Sequence, residues 1–91
     1  MLFLVTYDVV DDRRRTHLAK ALKDFGDRVQ YSVFECKLKS AHLVQMIARI
    51  ERIINIDEDS VRIYHLCGAC EEKLEIIGTG FRTEDPDVYI L

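Results

Sequence analysis

An α+β sandwich, with both helices on one face of a sheet, is the fold class the sequence predicts, and three observations predict it. An apolar run, Leu2-Phe3-Leu4-Val5-Thr6-Tyr7, opens the chain; two later segments repeat apolar residues at helical spacing; and the stretches around them are rich in β-branched and aromatic residues. The resulting order of strand, helix, strand, helix, strand and then short strands suits a sheet covered by helices on one side.

The first strand ends at Asp8, and alternation sends Phe3, Val5, Tyr7 and Val9 one way and Leu2 and Leu4 the other. Asp11 and Asp12 suit a helix amino terminus, where carboxylates meet unpaired backbone N–H groups. Leu18, Ala21, Leu22 and Phe25 then recur at helical spacing, with Arg13, Arg14, Lys20 and Lys23 toward solvent. Gly26 would close this helix in the left-handed conformation. Residues 29–38 are strand formers. Ser40 would cap a second helix with Leu43, Ile47, Ile50 and Ile54 as its buried stripe and Gln45, Arg49, Glu51 and Arg52 largely off it. The chain then turns between Asn55 and Asp59 into a strand over residues 61–66. Shorter strands are expected at Leu74-Glu75-Ile76-Ile77 and, after the cluster Glu84-Asp85-Pro86-Asp87, at Val88-Tyr89-Ile90-Leu91.

With 91 residues, 48% hydrophobic, and a single Pro, the chain reads as one folded domain over residues 1–91. A domain of this size buries about two-thirds of its unfolded surface and often recruits a metal, disulfides or a second copy. The first strand is apolar on both sides and the last segment is an apolar strand in need of a sheet edge, so a homodimer is expected. The net charge of −3 argues against nonspecific coating of nucleic acid by the whole surface and leaves room only for a local basic patch. No secretory signal pattern and no apolar run of about 20 residues is present, so a cytoplasmic protein without a membrane span is expected.

Asp8 is the first candidate for chemistry. A carboxylate at the mouth of a buried strand must end in solvent, meet a cation or find a partner. It could equally be a residue that turns the chain toward the helix. Arg13-Arg14-Arg15 reads as a solvated helix face of which at most two members can follow one phosphate track, whereas Arg49 and Arg52, one turn apart, are better aligned for duplex phosphates. Cys67-Gly68-Ala69-Cys70, with His65 before it and Cys36 far upstream, offers too few ligands for a structural zinc site of the usual kind; reduced thiols, a reversible disulfide and zinc all stay open. Gly78 and Gly80 around Thr79 lack the lysine of a phosphate loop and provide backbone freedom.

An amino-terminal strand ending in Tyr7-Asp8, an Arg-rich first helix, then Arg28-Val29-Gln30-Tyr31-Ser32-Val33-Phe34-Glu35 and later Val61-Arg62-Ile63-Tyr64 resemble the CRISPR-associated Cas-two family over nearly the whole chain. The resemblance implies a ferredoxin-like βαββαβ fold with an extra carboxy-terminal strand, in a symmetric dimer whose sheets pack face to face and whose residues from about 74 to 91 are exchanged. It implies a role in spacer acquisition beside the Cas-one integrase, and in many members a metal-dependent nuclease for single-stranded RNA or double-stranded DNA. That fold requires a tight break near Tyr31-Ser32, where no Gly, Pro, Asn or Asp stands.

Carried onto this sequence, the family pattern makes Asp8 the ligand of Mg2+, or of another divalent cation such as Mn2+, with Tyr7 beside it and Arg28, Ser32 and Phe34 lining the catalytic site. Arg28 would hold phosphate, Ser32 would bond phosphate or a metal's water, and Phe34 would stack on a base or simply pack. Arg13, Arg14, Arg49 and Arg52 are the nucleic-acid-binding candidates. Two functions therefore compete: a phosphodiesterase centred on paired Asp8 residues, and a DNA-binding dimer that scaffolds the integrase.

Overall fold

The computed structural model describes residues 1–66 together with 68, 75 and 77. The expected strands at 74–77 and 88–91, their exchange between copies, the glycines at 78 and 80, and Cys67 and Cys70 lie outside the described residues.

The order is β1 (Leu2–Asp8), α1 (Asp12–Leu22), β2 (Asp27–Gln30), β3 (Val33–Lys37), α2 (Ser40–Ile53) and β4 (Ser60–Leu66). The sheet runs β2-β3-β1-β4 with antiparallel neighbours throughout, the βαββαβ arrangement expected. β1 is central, paired with β3 from Leu2↔Lys37 to Thr6↔Val33 and with β4 from Leu2↔Leu66 to Asp8↔Ser60.

Alternation along β1 sends Phe3, Val5 and Tyr7 into a core completed by Val9, Leu18, Leu22, Phe25, Phe34, Cys36, Leu38, Met46 and Ile50. Cys36 is wholly enclosed, and that burial, more than the nearby Asp27 and Glu35, pushes its thiol up to about 12. The other face of the sheet carries Leu4, Thr6 and Asp8 from β1 and Ser60, Arg62 and Tyr64 opposite them on β4.

The acids expected at the first helix's amino terminus are there: Asp11 caps α1, its side chain accepting from the Arg14 N–H, and Asp12 stands in the first turn. Other local expectations need correction. Gly26 is not in the left-handed conformation. It is required because a Cβ there would stand 2.1 Å from the Glu35 carbonyl oxygen and 2.8 Å from the Cys36 Cα, so the chain leaving α1 presses directly on β3. Ser40 is the first residue of α2, not its cap; Lys39 holds that position without a side-chain bond. On α2 the buried stripe is Met46 and Ile50 with Leu43, Ile53 and Ile54 packed against it, while Ile47 is exposed.

The break at Tyr31-Ser32 is present, and it is made by tertiary contacts rather than by turn-forming residues. The Tyr31 carbonyl accepts from the Tyr7 hydroxyl at 3.1 Å and from Arg28 Nε and Nη2 at 3.0 and 2.8 Å, and the Ser32 carbonyl accepts from the Tyr7 N–H. Those bonds stand in for the conformational bias that Gly or Asn would supply.

Candidate active site

Asp8 stands at the end of the central strand, exposed, and among the described residues it has no hydrogen bond or ion pair. With Thr6, Tyr7, Ser60, Arg62 and Tyr64 it lines an open cleft of about 300 Å3 on the face away from the helices. Pairing explains this grouping: Asp8 is opposite Ser60, Thr6 opposite Arg62, and Leu4 opposite Tyr64, so these side chains share one face. Tyr64, its neighbour on the same face of β4, raises the Arg62 pKa further.

The segment following Asp8 is fixed by two arginines and a buried acid. Arg15 donates from Nε and Nη2 to the Val9 carbonyl at 3.2 and 3.1 Å and from Nη2 to the Val10 carbonyl at 3.3 Å. Asp59, whose side chain is 0% exposed, accepts from the Val10 N–H at 3.1 Å, the Asn55 N–H at 2.8 Å and Arg14 Nε at 2.9 Å. Arg14 reaches on to Glu58 at 3.0 Å. The Arg14 bond, ahead of those from Asn55 and Val10, holds the Asp59 carboxyl down at about 2 against the opposing effect of burial.

Of the other expected catalytic residues, Tyr7 adjoins this cleft and Arg28, Ser32 and Phe34 stand apart from it. Tyr7 points into the core, where its ring stacks on Phe34 with centroids 6.3 Å apart. Phe34 is 0% exposed, so it packs and has no face open to a base. Arg28 lies over the Phe34 ring at 5.7 Å and spends its donors on the Tyr31 carbonyl. Ser32, with Arg28 and Tyr31, lines a separate cleft at the hairpin tip. The Tyr7, Arg28 and Phe34 side chains and the Ser32 carbonyl thus support the sheet end from which Asp8 projects.

Among the nucleic-acid candidates, Arg14 is committed to Asp59 and Glu58, and Arg49 pairs with Asp24 at 2.8 Å while lying over the Phe25 ring. Arg13 and Arg52 are exposed. Cys36 and His65 flank Phe3 in register, so the core thiol is separated from the histidine by an aromatic ring and is not placed to complete a zinc site with it. Among the described residues no three His, Cys, Asp or Glu side chains gather as a metal cluster, and no helix is long and apolar enough to cross a membrane.

Sequence reasoning missed Ser60, Arg62 and Tyr64 as neighbours of Asp8, and Asp59 as the partner of Arg14. The signal for the first three was the alternation of residues 60–64, which becomes informative only once the β1–β4 register is known.

The profile of the family described as CRISPR associated protein Cas2 matches residues 1–74. The chain is 43% identical, over the full length of both proteins, to the CRISPR-associated endoribonuclease Cas2 1 of Chloroflexus aurantiacus. It superimposes on the crystal structure of a hypothetical protein from Thermus thermophilus with a TM-score of 0.78 and 41% identity, covering 91% of this chain and 96% of that one. A chain of a partial Cas6-RT-Cas1–Cas2 complex aligns with a TM-score of 0.72 and 32% identity over 84% of this chain and 89% of that one.

Proposed function

The chain belongs to the CRISPR-associated Cas2 family, and from that premise we propose that it is a metal-dependent endonuclease of CRISPR adaptation, acting as a dimer through Asp8. The observation that carries the reading is the state of Asp8: an exposed carboxylate at the end of the most constrained strand, without a partner among the described residues. Structural acids in this protein are engaged, as Asp59 is; Asp8 is held out.

The open sheet face, with Leu4, Tyr64 and Leu66 on it, is the surface a second copy would cover, and such a dimer would bring two Asp8 side chains toward one axis. Two facing carboxylates repel unless a proton or cation lies between them. The donors near Asp8 are oxygens, with the Thr6 and Ser60 hydroxyls beside the carboxylate. That set fits Mg2+, which prefers oxygen and keeps several waters, better than it fits a softer metal. When bound, Mg2+ or Mn2+ would polarise the phosphodiester and lower the pKa of the attacking water. Asp8 would hold the cation, the Thr6 and Ser60 hydroxyls would bond phosphate oxygens or water, and Tyr7, Arg28 and Phe34 would keep the strand end rigid.

Single-stranded RNA is the first substrate to test, since the Chloroflexus relative is named an endoribonuclease, and double-stranded DNA the second. Association with Cas1 is supported by the neighbour from a Cas1–Cas2 complex.

A second reading, a non-catalytic dimer that holds duplex DNA for the Cas1 integrase, is favoured by the absence of a three-ligand metal cluster among the described residues. Asp8→Asn separates the two. On the hydrolytic reading it removes cleavage and its response to Mg2+ while leaving nucleic-acid binding in place; cleavage by D8N at the native rate would defeat it. Reversing charge at Arg49 and Arg52 should weaken duplex binding and spacer acquisition while sparing hydrolysis of a short RNA.

A further inference from the structure

We propose that Arg62 is a phosphate anchor of the Asp8 cleft, its guanidinium gripping the nonbridging oxygens of the phosphodiester next to the carboxylate. This rests on the reading of Asp8 given above and adds the residue that would hold the substrate there. Arg62 is the cation on the cleft wall, and it stands diagonally across the β1–β4 pair from Asp8. Diagonal neighbours lie about 7–8 Å apart, within reach of an arginine. Yet no ion pair joins them, although both side chains line the same cleft. A cation and an anion thus flank one concavity without neutralising each other, which leaves the cation's planar fork available to a ligand with paired oxygens.

The other described arginines sharpen the contrast. Arg14, Arg15 and Arg49 are tied to carboxylates or carbonyls, and Arg28 to the Tyr31 carbonyl. Arg13 and Arg52 lie on the helices, on the opposite side of the sheet from Asp8. Among the described arginines, only Arg62 is placed to reach a phosphate that is also beside Asp8. Tyr64 lines the cleft beside it.

The test separates binding from chemistry. Affinity for a fluorescein-labelled single-stranded RNA is measured by anisotropy over a salt series in EDTA, in an Asp8→Asn background, with Arg62→Gln, Arg62→Lys and the equally charge-reducing surface variant Lys23→Gln. The expectation is a roughly tenfold loss of affinity for R62Q and a fall of about one in the slope of log K against log salt. R62K should keep the slope and regain only part of the affinity, because it keeps the charge and loses the fork. K23Q should match the parent. Equal behaviour of R62Q and K23Q, in affinity or in slope, overturns the proposal. With Asp8 restored and Mg2+ added, R62Q should raise KM more than it lowers kcat, and an unchanged KM also counts against it. Failure of the Asp8 reading looks different: D8N would still cleave, whatever R62Q does to binding in EDTA.

Discussion

Asp8 and Asp59 are the same residue type at one end of the same sheet, and they are treated in opposite ways. Asp59 is sealed, with donors from Arg14, Val10 and Asn55 on its oxygens. Asp8, facing Ser60 in the next register position, is in solvent with no such donors among the described residues. A buried charge is tolerated only when every lone pair is met, and its removal then damages the fold. An exposed one costs little to keep and is free for chemistry. The pair shows how a small domain separates holding a loop in place from offering a reactive group at its edge.

The largest expected effect tests this division directly. Asp8→Asn should lower cleavage by a hundredfold or more with no change in Tm, whereas Asp59→Ala should lower Tm clearly, because Arg14 and two backbone N–H groups lose their acceptor. Thermal melts beside a cleavage assay check both, and a Tm loss in D8N equal to that in D59A would erase the contrast. Next in size is Arg14→Gln, which leaves the Asp59 carboxylate without its main cation. It should destabilise less than D59A, since the backbone donors remain, and it should move the Asp59 carboxyl back toward the ordinary range, as followed by NMR titration.

The smallest effect is in acid. Asp59 lies near 2 in the folded protein against an ordinary 3.8, so its contribution is fully present above about pH 4 and is lost as the pH falls through 2. Acid unfolding followed by circular dichroism should therefore be shallower between pH 4 and 2 in Asp59→Asn than in the parent.

Much of this was legible in the sequence, and the failures share a cause. Both helices, β1 and β4 were readable because each buries one apolar face whose period is local, whereas β2 and β3 read as a single run. The Tyr31-Ser32 break was not signalled, because its stabilisation comes from Tyr7 and Arg28, the former more than 20 residues away. Gly26 was readable as a special position but for a different reason: its need arises from the approach of β3, not from its own φ. Asp8 could be singled out as an acid ending an apolar strand. Its neighbours could not, since Ser60, Arg62 and Tyr64 meet it only through an antiparallel register joining opposite ends of the described chain. Arg14 read as a solvated helix residue because nothing local reveals that Asp59 folds back onto it.

β1 is bonded along both of its edges, and a shift of one residue in either ladder would turn Phe3, Val5 and Tyr7 out to water while drawing Leu4 and Asp8 inward. Slippage that misdirects the acid therefore exposes the largest apolar side chains of the strand at the same moment. Mutational drift at this locus is policed by folding itself: a variant that lost the aim of its carboxylate by this route would be cleared as a misfolded protein before it could persist as an inactive one.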